Sequence, residues 1–275
     1  MSVYREHRPS LALAGSVACF WTLSGDDEGP SRILPDGCMD LLFDLTGREA
    51  ASVVGTMTEA LISPARGGRI EILGVRFRPG EASRFLGAAS ARELRDQLVP
   101  LSDVWGAAAE ALSDQLAAKG TLGARLSLLE ATLASRSPQP VDLRVRRAVR
   151  RLHDAAGGAR IGELATSVGM GERQLERLFD DRVGVGPKTL GSVFRMLALL
   201  DRVGRGTAWA EIAASLGFSD QAHLTRDLRR LAGITPTELA RSLSATSIEM
   251  AREPVAVGMS DLFNPLPGPL RILGP

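Results

Sequence analysis

Three polar residues in the carboxy-terminal third of the chain have side chains that can bond to the edges of DNA bases. They are Gln221, His223 and Arg226, spaced over less than two helical turns. Glutamine can form two hydrogen bonds with adenine in the major groove, and arginine can form two with guanine. Such readout requires that the side chains share one face of a rigid element that fits the groove.

The surrounding residues 208–232 predict two helices joined by a tight corner. Leu224, Leu228 and Leu231 repeat at the spacing of a buried helical stripe, which leaves the three polar residues on the opposite face. Gly217 suits the corner because glycine adopts positive φ without steric cost. The pattern predicts a helix-turn-helix whose second helix enters a major groove. The alternative is an ordinary helical hairpin with a solvated basic face.

A second copy of this pattern lies at residues 161–182. Its corner glycine, Gly169, precedes Gly217 by 48 residues (217 − 169 = 48), which indicates an internal duplication. The outer face of its second helix mixes the two charges, with Arg173 and Arg177 beside Glu176. Two such units joined by one long helix are hard to explain by packing alone.

Residues 142–243 resemble the DNA-binding domain of AraC-type transcriptional regulators. The run GFSDQAHLTRDLRRLAGITPTEL at 217–239 carries most of the resemblance, while the first unit has Met170 where the family often has an aromatic residue. The resemblance implies two helix-turn-helix units bridged by a central helix. It places these residues toward the bases: Arg173, Glu176, Arg177, Gln221, Ala222, His223 and Arg226. Arg229 lies beside them and is expected to touch a phosphate.

The amino-terminal half reads as β structure. Short alternating segments with Gly and Pro between them at residues 16–80 predict a small antiparallel barrel or sandwich, so the whole chain is α+β. The runs LPDGCMDL and GVRFRPGEASRFLG resemble an uncharacterised amino-terminal domain found on some AraC-type proteins. That resemblance implies a cupin-like barrel, whereas periodicity alone supports only a small β domain.

Longer hydrophobic periods follow and predict helices up to a Pro-containing linker. A leucine stripe at 122–133 indicates a dimer interface or, as the alternative, helices that cover the β domain. The predicted divisions are a β-rich sensor and dimerisation domain at 1–136 with a helical subdomain at 81–135, a linker at 137–141, the DNA-binding domain at 142–245, and a Pro/Gly-rich extension at 246–275.

A ligand site in the amino-terminal domain would use residues of the strands and of one turn. The candidates are Trp21, Asp36, Cys38, Arg76 and Arg78. The two arginines would favour an anionic ligand. The alternative is structural: Asp36 begins a turn, Cys38 is a small buried residue, and the arginines pair with carboxylates.

The sequence contains little that could support catalysis. Its three histidines, His7, His153 and His223, are far apart, and only one belongs to the amino-terminal half, so a metal-dependent cupin enzyme is not expected. The two cysteines cannot supply four zinc ligands. No serine-nucleophile, phosphate-loop or dinucleotide motif is present. We therefore expect no enzyme, no metal and no cofactor.

Length and charge agree with a regulator of two domains. A chain of 275 residues can hold two cores. Residues 1–138 carry 14 basic and 17 acidic residues, and the remainder carries 19 and 15, so a mildly acidic half precedes a mildly basic one. No apolar run of about 18 residues predicts a membrane span, and a cytoplasmic location is expected.

The resulting hypothesis is a one-component, sequence-specific DNA-binding transcriptional regulator. Its expected partners are double-stranded promoter DNA, a small-molecule effector, RNA polymerase and a second copy of the chain. In one alternative the amino-terminal half binds a protein instead of a metabolite. In the other, an enzyme domain is fused to a DNA-binding domain.

Overall fold

The computed structural model describes most of the two predicted domains. The predicted linker at 137–141 lies mostly outside the described residues, and so does the extension at 246–275 apart from three residues. The described residues are 2–27, 29–87, 89–136, 140–204, 209–239 and 271–273.

The amino-terminal domain contains two antiparallel sheets, which confirms the β prediction. The larger sheet has β1 and β8 at its edges in the order β1-β2-β7-β4-β5-β8, so its described strands form an open sheet and not a closed barrel. Its strands are β1 (Ser2–His7), β2 (Val17–Asp26), β4 (Met39–Asp44), β5 (Ser52–Val54), β7 (Arg69–Phe77) and β8 (Leu98–Pro100). The smaller sheet has the order β6-β3-β9, with β3 (Ser31–Ile33), β6 (Leu61–Ser63) and β9 (Arg271–Leu273).

Alternation along the strands gives the larger sheet two different faces. Met39, Leu41 and Phe43 of β4 point to one side and join the main core of this domain. Asp40 and the other residues between them point to the opposite side. The period of two in the sequence therefore fixes which residues meet the covering helices and which remain for a polar cluster.

The helical subdomain predicted at 81–135 is shorter than expected. A 3-10 turn at Ala82–Arg84 and irregular turns replace the first predicted helices, and residues 98–100 form the edge strand β8. Pairing of β8 with β5 satisfies backbone groups that a helix would have satisfied internally. Gly106, at φ +62°, then separates α1 (Ser102–Trp105) from α2 (Ala107–Ala118).

The leucine stripe at 122–133 lies on α3 (Leu122–Ser135), which begins where Thr121 caps it. Leu129 and Leu133 are buried in the core of the β domain. The helix therefore covers the sheet, as the alternative interpretation held. Its two most buried leucines are not available to a second copy of the chain.

The carboxy-terminal domain is helical, and its core also includes Leu34 of the amino-terminal domain. Asp142 caps the first helix, as its position in the sequence indicates. Residues 236–239 form a further helical turn, with reciprocal bonds between Thr235 and Glu238. The helices are α4 (Leu143–Asp154), α5 (Ile161–Ser167), α6 (Glu172–Arg182), α7 (Pro187–Gly204), α8 (Trp209–Ser215) and α9 (Gln221–Ala232).

No single helix among the described ranges is long and apolar enough to cross a membrane. One bent pair, Glu172–Arg182 with Pro187–Val203 at 68°, meets that test by length and composition only. Within the same ranges, no group of three His, Cys, Asp or Glu residues could hold a metal ion.

Candidate nucleic-acid interface

The second unit has the corner that its sequence predicts. Gly217 adopts φ +70° after α8, and the backbone N–H of Phe218 bonds the carbonyl of Ala213 to close the turn. Asp220 caps α9 by accepting from the N–H of His223 at 2.6 Å. The buried leucine stripe of α9 then sets which side of the helix faces outward.

The outer face of α9 presents most of the predicted base-facing residues to solvent. Gln221, Ala222, Arg226 and Arg229 are exposed. None of these four side chains needs to leave a buried partner to reach a groove. This face therefore combines one amide, one methyl group and two guanidinium groups, which can address base edges and phosphates.

His223 is held more tightly than its neighbours on α9. Its ring is half-buried and lies edge-on to Phe218, with 5.3 Å between centroids. Its Nδ1 is 3.4 Å from the hydroxyl of Ser219, and its Nε2 is 3.8 Å from a carboxylate oxygen of Asp227. These contacts orient the ring at the start of the helix and reduce its freedom to search for a base.

The first unit repeats the corner and differs on its outer face. Gly169 adopts φ +71°, and the side chain of Gln174 accepts from the N–H of Gly171 at the start of α6. Arg173 and Arg177 are exposed as predicted. The corner of the first unit therefore has the same backbone conformation as that of the second. The pattern of charges around its two arginines is not repeated there.

Two carboxylates of α6 lie against glycines, one in α5 and one in the loop before α7. A β-carbon on Gly186 would lie 2.4 Å from Oε1 of Glu176, and one on Gly162 would lie 2.8 Å from Oε1 of Glu172. Desolvation raises the pKa of Glu176, the nearby Asp180 raises it further, and Lys188 opposes the shift. Glu176 is exposed like the two arginines, with one carboxylate oxygen near Gly186.

The long helix α7 joins the two units and forms the floor of a cleft between them. Its buried residues Leu190, Val193 and Leu200 pack in the shared core. The cleft has a volume of about 710 Å³. Its charged and imidazole side chains are Arg160, Lys188, Arg195, His223, Asp227 and Arg230. Four cationic residues against one carboxylate make this inter-unit cleft basic.

The amino-terminal domain contacts the loop that follows the first recognition helix. Arg95 places Nη2 2.6 Å from a carboxylate oxygen of Asp180, and its Nε donates to the carbonyl of Gly184. One guanidinium thus reaches both the last turn of α6 and the loop that leads into α7. Nothing in the sequence indicates this pairing, because the partners are 85 and 89 residues away.

Two more hydrogen bonds complete the interdomain contact, which joins Thr56, Ala91 and Arg95 to residues 180–184. The hydroxyl of Thr56 donates to the carbonyl of Val183 at 2.5 Å. The N–H of Ala91 donates to the carbonyl of Asp181 at 3.1 Å. The approach is close, since a β-carbon at position 184 would lie 2.8 Å from the carbonyl oxygen of Ala91.

A second place of contact between the domains lies on α4. Arg146 donates from Nε to Glu81 at 2.8 Å and from Nη2 to the carbonyl of Gly15 at 2.9 Å. Arg32 of β3 also reaches the carbonyl of Ala232 at the end of α9, at 3.1 Å. The amino-terminal domain therefore touches both helix-turn-helix units.

The predicted ligand residues of the amino-terminal domain are mostly brought together. Arg76 is 3% exposed and forms a two-pronged ion pair with Asp40, at 3.1 and 3.0 Å. Asp36 lies 3.5 Å from the same guanidinium, and Trp21 donates to Asp40 at 3.4 Å. Cys38 is buried beside them, and burial raises the pKa of its thiol.

This cluster already balances the charge of its arginine. Two carboxylates face Arg76, and burial, partly offset by that arginine, raises the pKa of Asp40. An anionic ligand would have to displace one of them before it could pair with the guanidinium. Arg78 donates to the carbonyl of Ala14 at 2.9 Å; burial lowers its pKa, and the nearby Cys38 opposes that shift.

Comparison with known proteins agrees with these two domains. Residues 5–100 match a family described as a domain of unknown function, and residues 164–242 match a family described as a helix-turn-helix domain. No curated protein matches the chain.

Solved structures of ToxT from Vibrio cholerae are similar to the chain at 11% identity. The structure from strain O395 has a TM-score of 0.41 and covers 90% of this chain and 98% of its own. Wild-type ToxT from strain SCE256 with a bound unsaturated fatty acid has a TM-score of 0.37 and covers 87% and 94%.

The matched range 164–242 contains both corner glycines and both recognition helices. The duplication, the paired corners and the family match lead to the same assignment. The carboxy-terminal domain is therefore a DNA-binding helix-turn-helix domain with two units, and a domain of unknown function precedes it.

Proposed function

We propose that the chain is a one-component regulator in which the amino-terminal domain controls how the first helix-turn-helix unit meets DNA. The interdomain contact is the observation that carries this proposal. It joins Arg95 to Asp180 in the last turn of the recognition helix α6 and to the loop before α7. A change in the amino-terminal domain that moves Arg95 would therefore change the position of that helix.

The assignment of individual residues follows from their exposure and chemistry. Gln221 and Arg226 address base edges, and the methyl group of Ala222 contacts a thymine methyl. Arg229 neutralises a phosphate. His223 bonds a base in this proposal, and its contact with the ring of Phe218 supports a further role in orienting the start of α9.

The first unit contributes fewer base contacts. Arg173 and Arg177 reach DNA from α6, while the exposed Glu176, which lies near Gly186, can accept only from a cytosine. The two recognition helices enter successive major grooves about 34 Å apart on one face of the duplex. The domain 142–245, behind the linker at 137–141, contains every residue in this assignment.

A footprint on the promoter of the protein's own gene tests the DNA-binding half of the proposal. We expect two protected elements about one helical turn apart, with affinity that falls steeply as salt is raised. Equal affinity for the promoter and for a scrambled duplex of the same composition would refute sequence-specific binding.

Arg95→Ala tests the regulatory half. Loss of the bonds to Asp180 and Gly184 should weaken protection of the element read by α6 and leave the element read by α9 unchanged. Arg92→Ala is the matched control, because Arg92 is exposed in the same turn region. Equal footprints for wild type and Arg95→Ala would remove the amino-terminal domain from control of the first unit.

We propose a small molecule as the signal. The protein itself is proposed to be a cytoplasmic homodimer that acts with RNA polymerase and is not an enzyme. A thermal-shift screen of metabolites tests for it, since a ligand at 100 times its Kd stabilises by about 2.7 kcal/mol. Stabilisation only by a cell-derived protein would favour the protein-partner alternative. Turnover of a metabolite by the full chain would favour the enzyme alternative.

A further inference from the structure

Arg195 lies near the middle of α7, the helix that both helix-turn-helix units share. Its Nη2 donates to the carbonyl of Gly157 at 3.2 Å, on the first-unit side. Its guanidinium carbon lies 5.4 Å from the ring centroid of Phe218, on the second-unit side. That distance is within the range of a cation–π interaction. One side chain therefore contacts both the turn that leads into the first unit and the corner of the second unit.

The contact point beside the first unit, in the turn that leads into it, is fixed by close backbone packing. Gly157 lies in the turn between α4 and α5 at φ +76°. A β-carbon there would lie 1.8 Å from the carbonyl oxygen of Gly191, so the turn rests directly on the backbone of α7. Because the Gly157 carbonyl cannot shift far, its hydrogen bond fixes the guanidinium of Arg195 relative to this turn.

The contact point in the second unit lies at the entrance to its recognition helix. Phe218 follows the corner glycine, is 8% exposed, and places its ring edge-on to His223. The ring is thus held between Arg195 on one side and the first turn of α9 on the other. A displacement of the guanidinium would reach α9 through this ring.

The environment of Arg195 differs from that of a solvated arginine in a basic cleft. Its Nε is buried and has no hydrogen-bond partner among the residues that the structure describes. Burial of an unpaired donor is unfavourable. The side chain nevertheless lies across the floor of the inter-unit cleft, where its contacts with the two units hold it.

We propose that Arg195 is a positioning residue that sets the relative orientation of the two recognition helices, and with it the spacing of the two DNA elements that the chain accepts. The inference rests on the proposed DNA reading by both units. Arginine is required because its planar group can lie on a ring and donate sideways, which a lysine ammonium cannot do in the same way.

The test uses the full-length chain and a library of duplexes built on the footprinted promoter, in which the two elements are moved closer or apart by one or two base pairs. Wild type should prefer one spacing. In Arg195→Ala that preference should fall by about tenfold, since a lost cation–π contact and hydrogen bond together amount to roughly 1.4 kcal/mol. Arg195→Lys should show an intermediate preference.

Arg202→Ala is the matched control. It removes the same charge from the same helix, but Arg202 donates to Ser215, which belongs to the second unit alone. The control should keep the wild-type preference for one spacing even if its overall affinity falls. Equal loss of spacing preference in Arg202→Ala would show an effect of charge and would overturn the proposal.

Phe218→Leu keeps the test decisive if Arg195→Ala fails to fold. It removes the ring and retains an apolar side chain in the core, and it should reduce the spacing preference as Arg195→Ala does. An unchanged spacing preference in a folded Arg195→Ala or Phe218→Leu variant would overturn the proposed role of Arg195 and leave the proposed DNA reading intact. Failure of wild type to bind any duplex in the library would instead overturn the proposed DNA reading.

Discussion

The corner glycines of the two helix-turn-helix units, Gly169 and Gly217, adopt φ values of +71° and +70°, yet the helices that follow them carry different surroundings. On α9 the outward residues are Gln221, Arg226 and Arg229, all exposed. On α6 the arginines alternate with carboxylates. The duplication therefore preserved the backbone of the unit and not its outer surface.

The two recognition helices also differ in how the amino-terminal domain contacts them. The end of α6 is bound through Asp180 to Arg95 of the amino-terminal domain, and Glu176 lies against Gly186. At the end of α9 the corresponding link is a single bond from Arg32 to a backbone carbonyl. We infer from this difference that α9 carries the larger share of base recognition. The unit that contains α6 is the one that the amino-terminal domain can control.

The largest expected effect belongs to Arg226. Its replacement by alanine should cost roughly 1–3 kcal/mol of binding free energy and relax one base position, because a guanidinium can make two hydrogen bonds with guanine. Equilibrium binding to operators that differ at single base pairs measures both quantities. A uniform loss on every operator would identify Arg226 as a phosphate contact instead.

Arg229→Ala should have a smaller effect of about 1 kcal/mol, equal on all operators. Arg229 is exposed one turn further along α9, where the helix leaves the groove. Loss of one phosphate contact should also reduce the slope of log affinity against log salt by about 1. Titration at several salt concentrations tests this, and an altered base preference in the variant would contradict it.

Glu176→Gln should strengthen binding slightly, by roughly 0.5 kcal/mol at neutral pH, because it removes a negative charge near phosphates. Desolvation raises the pKa of Glu176, so the wild-type side chain begins to protonate at a higher pH than an exposed glutamate. The advantage of the variant should therefore shrink as the pH is lowered from about 7 to about 5. An advantage that grows over that range would be inconsistent with the raised pKa.

Local signals were enough to predict the DNA-binding domain. The corner glycines, the leucine stripe of α9 and the cap at Asp142 all act over a few residues, and the structure contains each of them. The alternating residues of β4 likewise predicted the antiparallel sheet. Such features depend on period and backbone conformation, which sequence displays directly.

Features that depend on distant partners could not be predicted. The bond from Arg95 to Asp180 spans 85 residues, and the pair of Arg76 with Asp40 spans 36. Within the helical subdomain predicted at 81–135, residues 91–98 form no regular helix, because residues 98–100 pair with β5 and Ala91 bonds the other domain. Over residues 91–98, tertiary contacts outweighed a local helical pattern.

The most direct test of the difference between the units compares Arg177→Ala with Arg226→Ala on the same panel of single-base operator variants. Both residues are exposed arginines on recognition helices, so each variant is the control for the other. We expect Arg226→Ala to relax a base preference strongly, and Arg177→Ala to weaken binding with a smaller change in preference. A stronger relaxation by Arg177→Ala would contradict the assignment of α9 as the principal reader.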